Sequence, residues 1–157
     1  MKKKRVVIIS LLLLLVSVIG ISSYFLFKDK INLLDVDHSA VDWNEKKQKD
    51  TSGEENTIAI PGFEKVTLYA NETKQAVNFH NPEINDCYFK ISLIHPDGSV
   101  LWISDLIEPG KGMYSIELEK TLAVGEYENA VLKYECFSLN DQSPLNGSEI
   151  NLKLVVV

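Results

Sequence analysis

Between Val6 and Phe27 the chain carries 22 consecutive residues without a charge, and no other stretch constrains its folding as strongly. As a helix this run would extend about 33 Å, enough to cross a hydrocarbon core of about 30 Å. Its centre, Leu11 to Leu15, consists of residues that favour insertion, and Tyr24 and Phe25 suit an interfacial position near its end. Met1-Lys2-Lys3-Lys4-Arg5 precedes the run and Lys28-Asp29-Lys30 follows it. That asymmetry predicts a cytoplasmic basic segment over residues 1–5, a signal-anchor transmembrane helix over 6–27, and everything beyond Phe27 outside the cell membrane. A cleaved secretory signal is the competing expectation, because Gly20-Ile21-Ser22-Ser23 supplies small residues at a plausible cut. The run exceeds the about 7–15 residues of a signal h-region and continues past that cut, which favours the uncleaved anchor. No cysteine directly follows the run, so lipoprotein processing is not expected, and the C-terminal Val155-Val156-Val157 offers no second hydrophobic tail.

Charge is distributed unevenly along the 157 residues. Residues 1–27 carry +4, residues 28–56 carry −3 and residues 57–157 carry −7. No arginine occurs after Arg5. Nucleic acid is therefore not an expected partner of the outer part, since phosphate binding needs Lys/Arg clustered on the folded surface.

Residues 28–56 read as a juxtamembrane linker. Ile31-Asn32-Leu33-Leu34 and Val41-Asp42-Trp43 give way to a polar run, Asn44 to Asn56, with too little apolar surface to fold alone. If flexible throughout, the linker would hold the outer domain on the order of 30 Å from the bilayer. Asp35-Val36-Asp37-His38 could be drawn as metal ligands, but no further ligands lie near enough in sequence to complete a shell, and a solvated turn is the simpler reading.

From Thr57 onward the hydrophobic period is two, the mark of half-buried strands. Ile150, Leu152, Leu154 and Val156 alternate with Asn151, Lys153 and Val155. Similar alternation runs through Val66, Leu68 and Ala70; Val77 and Phe79; Cys87, Phe89, Ile91 and Leu93; and Ala130, Leu132, Tyr134 and Cys136. Turn residues punctuate these runs at Asn81-Pro82, His95-Pro96-Asp97-Gly98, Glu108-Pro109-Gly110, Val124-Gly125 and Pro144-Leu145-Asn146-Gly147. Pro96-Asp97-Gly98 is expected to join Cys87–Ile94 to Val100–Asp105 as a hairpin. About seven or eight strands in about 100 residues predict an all-β antiparallel sandwich over residues 57–157.

Leu122-Ala123-Val124-Gly125-Glu126-Tyr127, leading into a long alternating strand, resembles the turn-and-tyrosine signature of immunoglobulin-like and fibronectin-type domains. Ile107-Glu108-Pro109-Gly110 followed by Met113 to Leu118 is similar to a passage common in bacterial surface domains of that kind. The whole chain resembles short Gram-positive membrane proteins with one such domain. The resemblance implies that Leu122, Gly125 and Tyr127 form a structural tyrosine corner, in which the tyrosine bonds back to the preceding backbone. It also implies that the strands holding Cys87 and Cys136, third and sixth in that fold, are antiparallel neighbours. The two cysteines would then lie at the same end of one sheet, as a disulfide or as two buried thiols. The sequence departs from antibody-type domains, whose bridging cysteines lie on opposite sheets with a tryptophan between; here Trp102 falls in the strand after Cys87.

No catalytic constellation is legible. His38, His80 and His95 have no histidine or cysteine at ligand spacing, and no nucleophile elbow, phosphate loop or zinc-protease motif is present. Neither a cofactor nor a metal is expected. The carboxylates Glu108, Glu117, Glu119, Glu126, Glu128 and Glu135 read as solvated strand faces. Tyr69 and Tyr88 point opposite to their core neighbours Leu68 and Phe89, which makes them candidates for an interaction face. The expected function is a non-enzymatic, membrane-anchored extracellular binding module of the cell envelope with a protein partner. A tethered inhibitor or accessory factor of a secreted enzyme or export machine is the alternative, and an envelope hydrolase the third.

Overall fold

A computed structural model describes residues 33–43 and 57–157. The expected transmembrane helix over 6–27, the basic segment before it and the polar run from Asn44 to Asn56 lie outside the described residues. Eight strands are present: β1 (Val41–Asp42), β2 (Lys65–Leu68), β3 (Lys74–His80), β4 (Cys87–Ile94), β5 (Val100–Ile103), β6 (Lys111–Glu117), β7 (Gly125–Ser138) and β8 (Pro144–Val156). They form two sheets, one in the order β1-β6-β3 and one in the order β2-β8-β7-β4-β5. The described chain is all-β, as its period-two patterning dictates.

Every pairing is antiparallel except β2 with β8, which is parallel. The β4–β5 hairpin closes at Pro96-Asp97-Gly98, where Gly98 takes φ +84° and donates its N–H to the His95 carbonyl at 2.8 Å. A left-handed residue at this turn suits glycine, which lacks the Cβ that would clash. The alternating positions on both sheets meet in one core. Phe79, Met113 and Ile116 come from the three-stranded sheet, and Leu68, Phe89, Ile91, Leu132 and Leu154 from the five-stranded one. Rings connect the layers, with Phe79 5.8 Å from Trp102 and Phe63 edge-on to Phe79 at 5.5 Å.

The linker expected over residues 28–56 requires correction in its middle part. The folded unit begins at Leu34 rather than at Thr57. β1 pairs with β6 through Val41↔Gly112 and Asp42↔Lys111, and Val36 makes a parallel bridge with Leu106. The physical reason lies in the apolar residues scattered along this segment. Ala40 reaches the core, and Trp43 lies over Gly112, stacked on His80 (centroids 3.9 Å apart, planes 11° apart) and on Tyr114 (5.3 Å, 6°). A Cβ on Gly112 would sit 2.7 Å from the indole, so the glycine makes the space that Trp43 fills.

Candidate functional site

The ribbon of β4, β7 and β8 positions most of the residues singled out from the sequence. β4 and β7 are antiparallel neighbours, with Cys87 opposite Ser138 and Phe89 opposite Cys136. Cys87 and Cys136 are thus diagonal neighbours on the core side of one sheet, each 1% exposed, and both are free thiols. Each thiol perturbs the other, lowering the pKa of Cys87 and raising that of Cys136, whose burial adds to the rise. Phe89, opposite Cys136, meets Tyr134 edge-on at 5.3 Å. Burial also pushes the Tyr134 phenol far above its ordinary value.

At the other end of β7, Tyr127 donates its hydroxyl proton to the Ala123 carbonyl at 3.0 Å. Leu122 is buried beneath this corner and Gly125 lies against the Tyr127 ring. His95 approaches the same ring from the β4–β5 turn, with centroids 5.0 Å apart. Its Nδ1 lies 3.0 Å from Asp97 Oδ1. The Asp97 carboxyl is held well below the usual carboxylate range, first by Ser99 through its hydroxyl and backbone N–H and then by His95.

Tyr69 and Tyr88 are not brought together. Tyr69 follows Leu68, which pairs with Val156 and so lies level with Gly125 at the start of β7. Tyr88 is half-buried and pairs with Phe137 at the end of β7. A single face containing both is thereby corrected to two separate ends of the five-stranded sheet. Tyr69 instead shares its end with exposed Val124 and Val157.

Several organising residues were missed by sequence reasoning. Gln142, in the β7–β8 turn at φ +55°, accepts the Leu34 N–H (2.6 Å) and donates to the Leu34 carbonyl (3.0 Å), so its amide takes the place of a strand neighbour. Asn81 is fully buried and donates to the carbonyls of Cys87 (2.8 Å) and Ile107 (2.9 Å). Asn85 donates in turn to Asn81 and Ala59. Gln75 closes the β2–β3 turn through Tyr69 and Glu72. The bonds of Gln142 to Leu34, of Asn81 to Ile107 and of Asn85 to Ala59 gave no sequence signal, because those partners lie far along the chain. Asp37 accepts from Ser39 within its own turn and from the Asp105 backbone N–H across the fold, and among the described residues no group of three or more His, Cys, Asp or Glu is disposed to hold a metal ion. No family model matches this sequence, and no match emerges among curated proteins or solved structures.

Proposed function

We propose that the chain is a non-enzymatic interaction module of the cell envelope, in which an N-terminal membrane anchor carries an immunoglobulin-like domain outside the cell. The apolar run from Val6 to Phe27 and its basic N-terminal flank support the anchor. The immunoglobulin-like assignment is supported by the strand order β2-β8-β7-β4-β5, by the parallel β2–β8 pair and by the Tyr127–Ala123 corner.

The observation that carries the binding role is the disposition of the two ends of the domain. The chain joins the folded unit at Leu34, clamped by Gln142 at the end of β7, whereas exposed Tyr69 and Val124 lie at the start of β7. Among the described residues the Tyr69–Val124 end is thus the one opposite Leu34, and an exposed tyrosine at the same end as exposed aliphatic residues is suited to a protein contact.

A reporter active only outside the cytoplasm, fused after Val157, is expected to give signal; a cytoplasmic C-terminus would overturn the anchored arrangement. Crosslinking through a photoreactive group at Tyr69 in native membranes is expected to capture a protein partner. A chain that remains uncrosslinked under several chemistries would end the binding reading while leaving the topology standing.

A further inference from the structure

Two nucleophilic groups lie buried in the core with no part in the proposed contact. Cys87 opens β4 and Cys136 lies two residues before the end of β7, diagonal to each other on one face of adjacent strands and both buried on the core side. We propose that Cys87 and Cys136 form a reversible redox pair, a dithiol that closes to a cross-strand disulfide by exchange with an external disulfide.

Neighbourhood and a shared core face allow the bond to form without exchanging strand partners. The diagonal relation makes it reversible. Directly opposed residues in antiparallel strands lie about 4.5–5.5 Å apart and diagonal ones about 7–8 Å, whereas a relaxed disulfide spans about 5.5–6 Å between Cα atoms. Closure must draw the first residue of β4 towards β7, and a bond formed under such strain is more readily reduced. Asn81 opposes that shift by holding the Cys87 carbonyl. Both cysteines lie near the end of the sheet, beside the loop before β4 and the β7–β8 turn, where local opening admits a small reagent more readily than at the centre.

The chemistry divides unequally between the two sulfurs. Cys87 lies at the very end of the sheet, level with Ser138 and next to exposed Asp86, whereas Cys136 lies two positions further in, so Cys87 is the attacking thiolate. It displaces one thiolate from the external disulfide, which leaves a mixed disulfide on Cys87. Cys136 then loses its proton to solvent and attacks the Cys87 sulfur, releasing the second external thiolate. Two electrons pass from the protein dithiol to the external disulfide, which leaves as two thiols. The inference rests on the folded unit alone and is independent of the membrane anchor and of any partner.

The test uses the purified full-length chain equilibrated in glutathione buffers of graded oxidised fraction, quenched in acid, then alkylated under denaturing conditions and weighed intact. Oxidising buffers are expected to yield a monomer lacking both alkyl groups, with a Cys87–Cys136 peptide on mapping, and reducing buffers to restore both. A Cys136→Ala variant is expected to accumulate glutathione on Cys87, and Cys87→Ala to lose that adduct. Alkylation of both cysteines at every buffer ratio would overturn the proposal, as would bonds only between chains. An intramolecular bond that survives the reducing buffers would overturn its reversibility. The mass of the wild-type chain decides the matter even if neither alanine variant folds.

Discussion

At Gly147 a side chain has nowhere to go. A Cβ built there would lie 2.2 Å from the Tyr134 carbonyl oxygen, backbone that no rotamer change can move. The position coincides with a register shift between Tyr134 and Cys136, where β8 carries an extra residue against β7. Gly147→Ala is expected to lower stability by about 1–3 kcal/mol in urea unfolding, the range for overpacking. Gly62→Ala, which meets nothing within 4 Å, should leave the midpoint almost unchanged. Asp97 illustrates a residue-scale effect that depends on pH. Its folded pKa is depressed below the ordinary 3.8, so its contribution is present in full above that value and is lost as pH falls through the lower folded pKa. An NMR titration should show the Asp97 carboxyl still ionised at a pH where ordinary aspartates are half protonated, and Ser99→Ala should move it back towards 3.8.

At the scale of elements, β1 is the least obvious. Two residues of ladder cannot hold a strand in place. The Trp43 stack, the Trp43 N–H donated to the Gly110 carbonyl at 2.9 Å and the Lys111–Asp42 contact at 2.7 Å hold it together. Asp42 is well exposed and Lys111 half-buried, so solvent screens the pair and the stack contributes more than the ion pair. Trp43→Ala is expected to reduce stability by about 2 kcal/mol, less than the roughly 3–5 kcal/mol of a core aromatic because Trp43 is only half-buried. Hydrogen exchange should locate the loss, with residues 36–43 losing protection while β4 and β7 keep theirs. Unchanged exchange at Asp37 and Trp43, whose amides bond Leu106 and Gly110, would contradict this account of β1.

At the scale of the whole molecule, the folded unit runs from Leu34 to Val157. A fragment beginning at Leu34 should unfold cooperatively with the midpoint of the full chain, and one beginning at Thr57 should unfold at lower urea by more than Trp43→Ala alone, because it also loses Val36, Ala40 and the Leu34–Gln142 bonds. Equal midpoints for the two fragments would show that residues 34–43 are passengers. Much of the architecture was legible beforehand. Alternation marked the cores of β4, β7 and β8 because every second side chain in a strand faces the same way, and Pro96-Asp97-Gly98 marked its hairpin because glycine tolerates the left-handed backbone there. The Tyr127 corner was legible through a resemblance rather than through periodicity. What only the tertiary structure decided was partnership over long separations: Gln142 with Leu34, Trp43 with His80 and Tyr114, the placement of Tyr69 and Val124 at one end of the five-stranded sheet, and the diagonal rather than opposed placement of Cys87 and Cys136. The sequence by itself determined which residues alternate, where the chain turns and where an apolar run could span a bilayer, since each depends on near neighbours. Register, edge pairing and the company of a buried amide depend on segments that meet only when the two sheets close on a common core.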